Sequence, residues 1–139
     1  MTAPLELGLD TFGDITSDSD GGLVPAPEVL RQVVEQAVLA DEVGLSFIGL
    51  GEHHRADFSI SAPDIVLATI AGRTQNIRLG SAVTVLSSDD PIRVYERFAT
   101  LDALSHGRAE VILGRGSFTE SFGLFGLDLG DYEVPLNEK

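Results

Sequence analysis

No cysteine occurs among the 139 residues. Disulfide scaffolds, thiolate zinc sites and cysteine nucleophiles are therefore excluded. Positive charge is scarce as well: 9 Lys and Arg face 22 Asp and Glu, a net charge of −13. Eight of the nine cations are Arg, and the only Lys is Lys139. Without a basic cluster, neither a nucleic acid nor an anionic membrane surface is an expected partner. Apolar runs fall short of the roughly 18 residues a membrane helix needs. The opening residues, MTAPLE, lack the basic and apolar regions of a signal peptide. Cytoplasmic residence is the expectation. At 43% apolar residues the chain has enough material for one modest domain and too much for disorder.

Apolar runs alternate with helical patterns along that domain. A first strand is expected over Leu5–Phe12, followed by a Gly/Ser/Asp-rich loop, 13–25, longer than the usual connection. Apolar residues at 29/30, 33/34, 37/38 and 40 give a helix from about Pro27 to Val43, with Gly44 suited to a left-handed end. Phe47–Gly51 reads as a buried strand. Ser61-Ala62-Pro63-Asp64 opens a second helix to about residue 73, with Ser61 as capping hydroxyl and Ile65, Leu67 or Ala68, and Ala71 inward. Leu79–Leu86 is a third strand. Asp90 caps a third helix at Pro91, with Val94, Phe98, Leu101 and Leu104 inward and Gly107 as the stop. Ala109–Leu113 is the fourth strand.

Strands beginning near 5, 47, 79 and 109, each followed by a helix, describe a (β/α) repeat with a parallel sheet. The period of about 30 residues is one eighth of a roughly 250-residue (β/α)₈ barrel. A doubly wound dinucleotide fold is the competitor, but its G-x-G-x-x-G is missing: Thr119 stands where the third glycine after Gly114-Arg115-Gly116 should fall. The expected fold class is thus α/β, the first half of a TIM-type barrel, with 1–139 as about four units that cannot close alone. The final Leu136–Lys139 reads as the start of another helix.

Residues at the carboxyl ends of barrel strands face the active site. They are Asp10/Thr11, Glu52-His53-His54, Val83–Ser87 and Gly114-Arg115-Gly116-Ser117. Adjacent histidines point apart, so at most one serves the site, as a proton donor or acceptor, while the other bonds to backbone or to an acid. Their spacing does not suit a metal. His106, at a helix C-terminus, reads as a partner of the dipole. The Gly-Arg-Gly turn offers close backbone approach and a guanidinium fork for phosphate. Ser117-Phe118-Thr119-Glu120 fits a capping box, so a helix is expected to begin there with its N–H groups free for an anion, while Gly123, Gly126 and Gly130, with Phe122 and Phe125 among them, suggest an irregular packed loop. Asp90 reads as a cap rather than as a catalytic partner of Asp89.

Taken in order, several stretches resemble the N-terminal part of the bacterial luciferase-like, flavin-dependent monooxygenases. They are Gly44–Phe47 with Gly51-Glu52-His53-His54, Ile77–Val83, Asp90–Val94, Leu101-Asp102 through Ser105–Arg108, and Gly114-Arg115-Gly116 before Phe122-Gly123 and Phe125-Gly126. The resemblance implies a (β/α)₈ barrel at least twice this length, with FMN, or the deazaflavin F420, across its rim. It implies a non-proline cis peptide at Ala82-Val83 behind the flavin ring, proton transfer by His53, and Arg115 by the flavin phosphate. It further implies a small organic substrate, a flavin reductase as electron donor, and homo-oligomers. Gly114 stands where luciferase-type members can carry Cys, so light emission is not implied. Two other functions fit this fold: hydride transfer with F420, and a non-catalytic flavin-binding half-barrel.

Overall fold

The computed structural model describes residues 5–116 and 119–126. Strand β1, Gly8–Thr11, is shorter than Leu5–Phe12: Leu5 and Leu7 lie before it and stand exposed, and the Leu7 carbonyl accepts from the Ser46 amide at 2.8 Å, just ahead of the ladder. Helix α1, Ala26–Glu42, buries Val29, Val33, Val34, Ala37 and Ala40 in the stripe expected from the period. It ends as Gly44 turns left-handed at φ +85°, while the Leu45 and Gly44 amides donate to the Ala40 and Asp41 carbonyls. Strand β2 is Phe47–Leu50, and helix α2 is Pro63–Ala71.

Two expectations for α2 fail. Ala62, not Ser61, occupies the cap position, without a side-chain bond, and Pro63 sets the first turn. Leu67 and Ile70 face the core, whereas Ile65 is 66% exposed and Ala68 is also exposed. The segment PDIVLATIA is apolar on nearly every face, so its period could not choose a side.

Strand β3, Arg78–Ser81, and strand β4, Thr84–Val85, divide the run expected as one strand over 79–86. Helix α3, Pro91–Ser105, starts on Asp90 as expected: its carboxylate accepts from the Ile92 and Arg93 amides at 2.9 and 3.0 Å. Val94, Phe98 and Leu101 are buried, but Leu104 is 69% exposed and Ser105 takes the inward place. The left-handed turn ending α3 begins one residue before Gly107, at His106 (φ +60°), and Gly107 continues it. Strands β5, Ala109–Glu110, and β6, Leu113–Gly114, likewise replace a single strand over 109–113. A helix follows as the capping-box stretch predicts, starting at Glu120: α4, Glu120–Phe125, holds Gly123 inside it and ends left-handed at Gly126, where the glycines suggest an irregular loop. Gly130 and Leu136–Lys139 lie outside the described residues.

Among the described residues the sheet is parallel throughout, in the order β1-β2-β3-β5, and open at both edges. β4 and β6 form a second parallel pair at its carboxyl end. The division between the two lies at a peptide bond, Ala82-Val83, that is cis. The ladder is bridged there by a side chain: the buried Ser81 hydroxyl donates to the Ile112 carbonyl and accepts from the Ile112 amide, 3.3 and 3.2 Å away. Thr84 Oγ1 donates to the same oxygen at 2.9 Å.

Alternate residues of the strands point to opposite faces. Ile48, Leu50 and Leu79 face the helices and join Leu67, Ile70, Val94 and Phe98 in one core. Burying each large side chain contributes roughly 1.5–3 kcal/mol. On the other face the Phe47 ring lies over Gly8, Gly49 and Gly80, where an added Cβ would run into it. Two polar staples hold the end of the sheet away from the rim. The Asp41 carboxylate, at the end of α1, accepts from the Gln75, Asn76 and Ile77 amides at 2.8, 2.9 and 2.7 Å. Arg108 gives its guanidinium donors to the Ser105, Ile77, Ala71 and Thr74 carbonyls and to Thr74 Oγ1, joining the ends of α2 and α3 to β3.

Candidate functional site

The carboxyl ends of β1, β2, β4 and β6 bring the polar residues picked out by position to one rim. Behind β1, the loop over 13–25 is laced to the loop after β2. Asp14 bridges Phe58, the Ser59 amide donates to the Gly13 carbonyl at 2.8 Å, and the Ile15 amide donates to the Asp57 carbonyl at 2.9 Å. These bonds gather Phe12, Phe58 and His53 into a cluster of three rings, with the two phenyl centroids 6.0 Å apart. Its ring stacks on Phe58 with centroids 4.3 Å apart and meets Phe12 at 5.0 Å. Gly51 has no Cβ where the Phe12 ring passes, which allows this approach. His53 is 8% exposed, and its amide donates to the Ile60 carbonyl at 3.0 Å.

Each histidine has a carboxylate of its own. His53 Nδ1 lies 2.7 Å from Glu120 Oε1, and His54 Nε2 lies 2.8 Å from Glu52 Oε1. Glu52 therefore turns away from His53, as expected of adjacent residues, and His54 makes the bond to an acid that one of the pair should make. Phe125 meets the His54 ring edge-on at 5.2 Å. Glu120 was read as the last residue of a capping box. Instead it is the first residue of α4, behind a Thr119 cap that makes no side-chain bond. Ser117 and Phe118 lie outside the described residues. No local pattern marks Glu120 as a partner of a histidine 67 positions earlier.

Ala82 and Val83 lead into β4, and Gly114, Arg115 and Gly116 end β6 and leave it; Val83 lies against Gly114, and Val85 against Gly116. The Ala82 amide donates to the Leu50 carbonyl at 2.8 Å, which sets the cis peptide beside the end of β2. An added Cβ on Gly114 would stand 2.7 Å from Val83 Cγ2, so the Gly-Arg-Gly turn abuts Val83 only because that position is glycine. Gly116 is left-handed at φ +74°, against Val85. Ser87 Oγ donates to the Arg115 carbonyl at 2.8 Å and fixes the turn. On the first strand, burial pushes the Asp10 carboxyl above its ordinary value, opposed by a hydrogen bond from the Thr11 backbone. The Thr11 hydroxyl is spent locally, accepting from the Gly13 amide.

Other candidates stand apart from this group. The Asp89 carboxylate pairs with Arg97, and Asp90 is occupied as the cap of α3. His106 ends α3, at the opposite end of the sheet from the rim. A cleft of about 220 Å³ lies on the His54 side, lined by Glu52, His54, Asp64, Arg97 and Phe125 among others. Among the described residues, no group of three or more His, Cys, Asp or Glu could hold a metal, and no helix is long and apolar enough to cross a membrane.

Comparison with known proteins finds relatives by sequence and by fold. A family model described as luciferase-like monooxygenase matches residues 11–138. The 4-hydroxyprotoasukamycin monooxygenase of Streptomyces nodosus subsp. asukaensis is 37% identical over 70% of this chain and 27% of its own length. The alkanal monooxygenase alpha chain of Photorhabdus laumondii subsp. laumondii is 30% identical over 75% of this chain and 29% of its own length. The chain thus spans under a third of these curated relatives. Among solved structures, the oxygenating constituent of 3,6-diketocamphane monooxygenase from Pseudomonas putida, in complex with FMN, superposes with a TM-score of 0.83. It is 21% identical, and the match covers 97% of this chain and 37% of that one. A coenzyme F420-dependent tetrahydromethanopterin reductase from Methanopyrus kandleri reaches 0.64 at 21% identity, over 91% of this chain and 31% of its own. The solved neighbours share the TIM-barrel fold, of which this open sheet is a part.

Proposed function

The chain belongs to the luciferase-like monooxygenase family, and we propose that it is the N-terminal half of a barrel, residues 1–139, that works as a cytoplasmic FMN-dependent monooxygenase on a small organic substrate. The observation that carries this reading is the packing of Val83, in the Ala82-Val83 peptide, against Gly114 of the Gly114-Arg115-Gly116 turn, on the same strand-end rim as the buried His53. These residues suit a flavin mononucleotide. Gly116, left-handed and without a side chain, lets a ligand approach the turn closely. Arg115 carries the planar fork that matches phosphate.

In this reading Arg115 holds the phosphate, and Ala82 and Val83 back the ring system. Gly114 keeps those two segments in contact. Reduced FMN, when bound, supplies the two electrons that let O₂ deliver one oxygen atom to the substrate and the other to water. His53 moves the proton, with Phe12 and Phe58 packed against its ring to limit the access of water. A reductase delivers the reduced flavin, consistent with the description of the diketocamphane enzyme as an oxygenating constituent. The monooxygenases among the sequence relatives, and the closer structural match to the FMN complex than to the F420-dependent reductase, favour this chemistry over hydride transfer with F420.

The test compares FMN with riboflavin, which lacks the phosphate, in the full-length protein. Arg115→Ala should weaken FMN by about 10- to 150-fold, the value of one charge-assisted hydrogen bond. Riboflavin affinity should stay within about twofold by the same reasoning. Equal losses for the two ligands would remove Arg115 from the phosphate. Reductase-driven O₂ uptake that rises with substrate completes the assay.

A further inference from the structure

We propose that Glu120 is the positioning residue of His53: its carboxylate holds the proton on Nδ1 and thereby leaves Nε2 as the atom that accepts a proton. This rests on the reading of His53 as the group that moves the proton.

Three observations carry the inference. The Nδ1–Oε1 distance is 2.7 Å between side chains only 9% and 16% exposed, so the bond is short and sheltered from water. An ionised carboxylate can only accept, and a neutral imidazole carries one proton. The ring nitrogen facing Glu120 is then the protonated one, and the other bears the lone pair. Stacking on Phe58 fixes the plane of the ring, and the carboxylate fixes its rotation within that plane. The same Oε1 lies 3.4 Å from the His54 backbone N–H, which ties the carboxylate to the strand end that carries both histidines. His54 is held in the opposite sense, through Nε2 to Glu52. The adjacent imidazoles are thus assigned different tautomers, each by its own acid.

The experiment has two readouts in the full-length protein. The first is the ¹⁵N shifts of the His53 ring nitrogens in the flavin-free protein, assigned by their loss in His53→Ala. The second is single-turnover reoxidation by O₂ of the protein loaded with reduced FMN. Wild-type His53 should be protonated at Nδ1. Glu120→Ala should move it towards protonation at Nε2 and slow reoxidation by roughly 10- to 100-fold, with FMN affinity within about twofold. Glu120→Gln keeps an oxygen that can accept from Nδ1, so it should retain the wild-type tautomer and recover most of the rate. A wild-type ring protonated at Nε2, a tautomer unmoved in Glu120→Ala, or a Glu120→Gln variant as slow as Glu120→Ala would each overturn the assignment. If His53→Ala slows reoxidation and Glu120→Ala does not, the positioning role alone fails. If His53→Ala leaves the rate unchanged, the underlying reading of His53 fails and this role falls with it.

Discussion

Adding a single methyl group at Gly114 tests whether contact between the cis-peptide segment and the Gly-Arg-Gly turn matters for flavin binding. The new Cβ would stand 2.7 Å from Val83 Cγ2 and 3.2 Å from Val83 Cβ. Carbon atoms settle at about 3.5–4.0 Å, so the two segments must part by roughly 1 Å. Gly114 is not in the left-handed region, and the collision is therefore the main penalty. Overpacking of this size costs about 1–3 kcal/mol. The flavin-free protein relaxes by letting β4 and β6 separate, and flavin binding must draw Val83 and Arg115 together again. The dissociation constant of FMN for Gly114→Ala should then rise by roughly 5- to 150-fold, measured by fluorescence titration of the full-length protein. Val83→Ala removes both γ carbons. Added to Gly114→Ala, it should bring the affinity back to within roughly fivefold of wild type, since only a Cβ contact remains tight. A Gly114→Ala protein that binds FMN as wild type does, or a double variant no better than the single one, would refute the reasoning.

Two further expectations concern the opposite end of the sheet. Arg108→Lys replaces five fixed donors with three, leaving carbonyls at the ends of α2 and α3 without partners. A loss of about 2–4 kcal/mol is expected in denaturant unfolding, and a loss below about 0.5 kcal/mol would mean that water replaces the guanidinium without cost. At Asp41, burial acts to raise the carboxyl, but the Gln75, Ile77 and Asn76 amides outweigh it and hold the group below its ordinary value. A depressed acid stabilises the fold above its unfolded value, near ~3.9, and loses that contribution as pH falls through the folded value. Asp41→Asn should therefore lower the melting temperature at pH 7 and make little difference near pH 2, and an equal deficit at both would argue against the charge.

The repeat of strands and helices, the helix limits to within two residues, the Asp90 cap and the Gly44 turn were all legible from local patterns. Each depends on residues a few positions apart. The orientation of α2 was not legible, because Ile65, Leu67 and Ile70 are equally apolar and only the neighbouring helices choose among them. The division of the third and fourth strands was hidden in Ser81, whose hydroxyl takes the place of backbone partners that hydropathy cannot register. At the rim, the family resemblance located the cis peptide at Ala82-Val83. The pairing of His53 with Glu120 needed the fold, since 67 residues separate them.

The Phe47 ring, lying over Gly8, Gly49 and Gly80, couples three strands through one aromatic residue. A side chain gained at Gly80 has nowhere to go while the ring is present, and a ring lost at Phe47 leaves bare backbone on its own strand and on both neighbours. The four positions therefore act as one packing unit across three strands: a Cβ gained at Gly80 has to displace the ring, and the same change is expected to be less disruptive beside a smaller residue at position 47.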